Sequence, residues 1–155
     1  MKSKLIITLI TVILIFSACK SKTSPENPEI STIKNNLPVE FTGAFQWYDD
    51  KFIQEVSMSF SKVFSDDNGQ VISLGTGIYN TKNGTTQIQV KMVIKPSTYQ
   101  VEIWELNPDG SPNFVTGGSH IGHISRDLKK IDAVWTTQKT GAQGTLEMAA
   151  DYFNR

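Results

Sequence analysis

The chain of 155 residues has one cysteine and two histidines, and each scarcity excludes chemistry. A single thiol cannot form an internal disulfide. His120 and His123 stand three apart, a spacing that sends them to opposite faces of a strand. No further His, Cys or carboxylate ligands cluster beside them, so no metal site is expected. An excess of charge is also missing, since 15 basic residues face 15 acidic ones. Without a basic stripe there is no reason to expect nucleic acid as a partner, nor electrostatic docking on anionic lipid. No Gly-x-Ser-x-Gly elbow, activated Cys, phosphate loop or Ser-Lys arrangement occurs. Glu102 and Glu105 flank Trp104 as an acid and base of a glycosidase would flank an aromatic platform, yet on a strand they too point to opposite faces. Neither an enzyme nor a cofactor is expected from this pattern.

Long apolar runs are confined to the start. Lys2 and Lys4 precede Leu5–Phe16, twelve residues that are apolar apart from threonine, and Ser17-Ala18 supplies small residues before Cys19. Twelve helical residues rise about 18 Å against a hydrocarbon core of about 30 Å, so the segment reads as a secretory signal rather than a span. Phe16-Ser17-Ala18-Cys19 resembles the lipobox of bacterial lipoproteins, with Phe where Leu is usual. That resemblance implies cleavage before Cys19, a diacylglyceryl group on its thiol and an acyl chain such as palmitate on the new amino group. Lys20 after the cysteine, rather than Asp, resembles lipoproteins sorted onward to the outer membrane of the cell envelope. Several acyl chains on one residue make a firm tether where a single chain would bind only marginally.

Removal of residues 1–18 from the chain of 155 leaves 137 residues, enough for one domain with a core. Two lysines leave with the signal, so 13 basic residues face 15 acidic ones and the formal charge becomes about −2. Residues 19–38 comprise the lipidated cysteine and a polar stretch with three prolines, which predicts a flexible linker. Within it, Ile30–Leu37 is the one piece able to form a helical turn at the domain edge.

From residue 39 to 155 the period becomes two. Val56, Met58 and Phe60 alternate with Ser57, Ser59 and Ser61, and Ile88, Val90, Met92 and Ile94 alternate with Gln87, Gln89 and Lys91. Alternation of this kind marks antiparallel strands with one buried face. Eight strands are predicted, near 39–48, 52–65, 70–80, 85–95, 98–106, 113–125, 130–138 and 143–151. Asn68-Gly69 and Asn83-Gly84 suit type I′ hairpins, which need positive φ at both central positions. Asp66–Gly69 and Asn107–Gly110 hold calcium-type oxygens but lack the spaced ligand loop, so both read as turns. The expected fold is all-β, an eight-stranded antiparallel up-and-down β-barrel, with a β-sandwich as the alternative. Gly75, Gly77, Gly117, Gly118 and Gly122 lie inside predicted strands, where barrel corners would need them.

Gly43-Ala44-Phe45, with Trp47 two residues on, resembles the Gly-x-Trp opening of lipocalins and avidin-like barrels. The closing segments around Gly118–Gly122, Ile131–Trp135 and Gly144–Met148 are similar to those of small secreted meander barrels. The resemblance implies a barrel that holds a small ligand.

Trp47, Trp104, Trp135 and Tyr79, with His120, are the candidate ligand-binding residues; the same rings could instead fill the interior. Ser57, Ser59 and Ser61 leave open a polar lumen with the apolar face outward. Two functions are therefore carried forward. One is a lipid-anchored envelope protein whose barrel binds a small hydrophobic or sugar-like ligand. The other is a non-catalytic structural or interaction lipoprotein that docks another envelope protein.

Overall fold

The computed structural model describes residues 27–107, 117–137 and 141–150. The signal segment, Cys19, residues 108–116, 138–140 and 151–155 lie outside the described residues, and with them most of the Asn107–Gly110 turn and the start of the sixth predicted strand. One helix, α1 (Pro28–Asn36), precedes eight strands: β1 (Glu40–Trp47), β2 (Ile53–Ser65), β3 (Val71–Thr81), β4 (Gly84–Lys95), β5 (Gln100–Leu106), β6 (Gly118–Ile124), β7 (Lys130–Thr137) and β8 (Gln143–Ala149). Each strand pairs antiparallel with the next, and β8 returns to β1, with Phe45 opposite Leu146. The meander is a closed barrel, not a sandwich, and closure leaves no free edge.

The period-two pattern decides which face is inside. Val56, Met58 and Phe60 point inward with Ile88, Val90, Met92 and Ile94, while the serines of β2 and the glutamines of β4 point out. The lumen is therefore apolar, the reverse of what a lipid-facing barrel around a polar channel needs. Each fully buried aliphatic or aromatic side chain contributes roughly 1.5–3 kcal/mol, so this inward set dominates the stability. Strong coiling of the sheet brings neighbouring backbones close. A Cβ at Gly75 would lie 1.9 Å from the Ser59 carbonyl oxygen, and one at Gly122 would lie 2.0 Å from that of Asp132.

The Asn-Gly hairpins take a different form from the one expected. Among the described residues only Tyr99 and Leu128 have positive φ apart from glycines, so neither Asn68 nor Asn83 adopts a type I′ conformation. Gly69 N–H donates to the Asp66 carbonyl with Gly69 at φ 72°, which makes a three-residue loop with glycine at the left-handed position. The Asp66 carboxylate accepts from the Asn68 and Gln70 N–H groups, and this side-chain bonding favours the asparagine in a right-handed conformation.

The linker expected over 19–38 is also corrected in its second half. Asn27 caps α1 by accepting from Glu29 N–H, Pro28 takes the first helical position, and Glu29 and Lys34 match the helix dipole. Pro38 keeps Leu37 extended (φ −62°, ψ 124°) and ends the helix. Ile30 and Ile33, one turn apart, are buried against the β2–β3 end of the barrel, and Leu37 follows them. A nine-residue helix is marginal alone, so this docking is what holds it. Below it Phe41 and Phe60 pack edge to face at 6.2 Å, and the buried Leu128 of the β6–β7 turn joins the same cluster. One end of the barrel is thus plugged. The other, beside the β1–β2 and β3–β4 connections, is where the interior opens among the described residues.

Candidate functional site

At the open end lies a cavity of about 150 Å³. Its walls are rings set edge to face: Phe45 and Trp47 with centroids 4.9 Å apart, Trp47 and Trp135 also at 4.9 Å, and Phe45 and Tyr79 at 6.0 Å. Alternation on β1 sends Phe45 and Trp47 to the same side, and β7 contributes Trp135 by the same rule. Two glycines make room for them. A Cβ at Gly144 would meet the Phe45 ring at 2.4 Å, and one at Gly118 would meet the Trp135 ring at 2.7 Å.

The floor is polar and buried. Glu105 Oε1 accepts from the Tyr79 hydroxyl and lies 2.8 Å from His120 Nε2, with the two side chains 6% and 1% exposed. Tyr79 Oη and His120 Nε2 are 3.4 Å apart, so three groups from β3, β5 and β6 converge. Burial, then the Glu105 charge and the hydrogen bond to it, pushes the Tyr79 hydroxyl well above its ordinary range. His120 Nδ1 is buried and has no hydrogen-bond partner among the described residues.

The rim is a clasp between two turns. Lys82 Nζ donates to both carboxylate oxygens of Asp50 at 2.8 Å and sits 5.2 Å from the centre of the Phe52 ring. Hydrogen bonds from Lys82 and from Phe52 N–H hold the Asp50 carboxyl below its ordinary range. Both partners are solvated, so the clasp orders the mouth more than it stabilises the fold.

Four of the five candidate ligand-binding residues, Trp47, Trp135, Tyr79 and His120, come together in this cavity. Trp104 does not. It is 46% exposed and points outward from β5, because the residues of that strand that share the interior are Val101, Ile103 and Glu105. His123 is exposed on the outside, and Glu102 accepts there from the Ser119 hydroxyl. Among the described residues no group of three or more His, Cys, Asp or Glu side chains is placed to hold a metal ion, and no helix is long and apolar enough to cross a membrane.

Sequence reasoning missed Glu105, Phe45 and the Asp50–Lys82 clasp. The signal for Glu105 was present, since an acid in phase with Val101 and Ile103 falls on the buried face. The clasp joins residues 32 apart in sequence and has no local signature. No protein-family model matches this chain, and no curated protein matches it, so the cavity is interpreted from its own geometry.

Proposed function

We propose that the protein is a lipid-anchored envelope protein whose lipocalin-like barrel is a non-catalytic binding module, taking a small ligand at its open mouth. The observation that carries this reading is the aromatic cavity floored by Glu105, His120 and Tyr79 in a barrel whose interior is mainly apolar. Ionisable groups on a buried floor are costly as mere packing, whereas a few polar groups converging beneath aromatic walls are what a ligand site requires. Cys19 is the tether, its thiol and new amino group acylated after cleavage, and the outer membrane is the proposed location. Native mass spectrometry of the full chain extracted from membranes tests the binding reading. A discrete small-molecule mass is expected, lost on organic extraction. Protein that never carries such a mass, from any growth condition, would overturn it.

A second reading, docking of another envelope protein, is supported by the outer wall. Trp104, Ile121 and Val134 are 46%, 51% and 37% exposed on the adjacent strands β5, β6 and β7, with Ile121 and Val134 directly paired. An apolar stripe on neighbouring strands is a feature of contact surfaces. Photocrosslinking from position 121 in cells would capture one discrete partner under this reading and none otherwise.

A further inference from the structure

We infer that the open mouth takes a sugar ring, whose C–H face lies on the aromatic wall and whose hydroxyls bond the Gln54 amide and the Glu105 carboxylate. This deepens the reading of the mouth as a ligand site and rests on it.

The inference begins with the phase of β2. Alternation back from Phe60, Met58 and Val56 brings Gln54 to the interior face, directly opposite Phe45 in the β1–β2 register. The core pattern calls for an apolar residue at that position. Gln54 instead lines the cavity with a half-buried amide, donor and acceptor at once, that makes no hydrogen bond among the described residues. Glu105 lines the same cavity, and both of its contacts, with Tyr79 and His120, fall on Oε1. That leaves Oε2 as an acceptor without a partner among the described residues, and, unlike His120 Nδ1, it is not sealed off by its neighbours. Asn83 adds a second unbonded side-chain amide at the exposed rim.

These groups decide between classes of ligand. An apolar molecule would cover the Gln54 amide and the open Glu105 oxygen without bonding either, a loss that offsets what the rings contribute. A charged ligand finds no excess of one sign, because each carboxylate of the lining already faces a basic group, Asp50 with Lys82 and Glu105 with His120. A sugar ring carries both kinds of surface that the cavity offers. Its C–H groups form an apolar face that suits the negative face of an aromatic ring, and its hydroxyls donate and accept along the edge. Trp47 and Phe52 are only half-buried, so part of each ring stays open to such a face. A volume of about 150 Å³ holds a molecule of benzene dimensions. A pyranose, being larger, enters by one edge and keeps the other in water beside the exposed Lys82 and Asn83.

Methyl glycosides of glucose, galactose, mannose and N-acetylglucosamine are the probes, with toluene and tetramethylammonium as apolar and cationic controls. With full-length protein, the indole N–H signals of Trp47 and Trp135 and the side-chain amide of Gln54 should move for at least one glycoside. The indole signal of Trp104, outside the barrel, should stay still. Gln54→Met keeps the length of the side chain and removes the amide. It should weaken that glycoside about tenfold, the ratio one net hydrogen bond supplies, without lowering the thermal midpoint. If the variant does not fold, the wild-type Gln54 amide shift and the ranking of glycosides against the two controls still decide. Unchanged glycoside affinity in Gln54→Met would overturn the contact assigned to Gln54. No response to any glycoside, or a stronger response to either control, would overturn the sugar assignment. The mass spectrum of the extracted protein decides separately whether the mouth binds anything.

Discussion

Glu105 and His120 meet along a diagonal of the β5–β6 pair: the register sets His120 opposite Ile103, and Glu105 lies two residues further along the same face. Because side chains alternate, a slip of one residue in this pair would carry one of the two groups out of the barrel. The polar floor is therefore a product of sheet register, and it reports on that register.

The Tyr79 hydroxyl gives the fold a signed dependence on alkaline pH. Its pKa in the folded state is raised, by burial first and by Glu105 second. Below the unfolded tyrosine value of about 10, both states hold the proton and the contribution is complete. As pH rises above that value the unfolded chain releases its proton first, so stability falls until the folded value is reached. Tyr79→Phe should lose roughly 1.5–3 kcal/mol at neutral pH, the worth of a hydrogen bond to a charged group. It should also show a shallower decline above pH ~10. Urea denaturation across that range measures both.

The glycines of the barrel should separate into two kinds. Gly75→Ala would drive a methyl against the Ser59 carbonyl at 1.9 Å, with no side chain able to yield. At Gly144 the nearest atoms are in the Phe45 ring, which borders the cavity, and the Gln46 carbonyl oxygen lies 2.8 Å away, a milder backbone approach than at Gly75. Overpacking costs about 1–3 kcal/mol where neighbours can relax, and Gly75→Ala should exceed the cost of Gly144→Ala. The Gly144 variant should be destabilised less, with the Phe45 ring pressed toward the cavity. Thermal melts of the two variants make the comparison.

The docked helix should prove integral to the domain. Ile33→Ala removes a wholly buried side chain from the plugged end and should cost roughly 2–5 kcal/mol. A cost within about 0.5 kcal/mol, the range of surface substitutions, would mean that α1 rests on the barrel without supporting it.

The proposed anchor has a direct test. Cys19→Ala should release the protein from membranes and abolish the acyl mass on the mature chain. Wild-type protein recovered soluble and unmodified would remove the anchor from the proposal.

The strands were readable because their alternation is a property of single residues two apart. β1 to β5, whose expected bounds are all described, begin and end within two residues of those positions, as the alternation at Val56–Phe60 in β2 and Ile88–Ile94 in β4 requires. The helix was obscured because only Ile30, Ile33 and Leu37 carry its burial, and the prolines that bound it are also marks of an extended linker. Trp104 was misplaced when its aromatic character was weighed above its phase. Counting by twos from Val101 sends it outward and brings Glu105 in. Convergence of Tyr79, Glu105 and His120 depends on the registers of three strands at once, which no local pattern encodes.

The plugging of one end by α1 gives the barrel a direction. α1 lies at the plugged end and the mouth opens at the other, with β1 spanning eight residues between them. Strands of that length, tilted as in small barrels, separate the two ends by on the order of 20 Å. Were Cys19 the tether, as proposed, the anchor would join the domain through α1, at the end opposite the aperture. A ligand would then arrive from the aqueous side, and capture would require neither extraction from lipid nor release of the anchor.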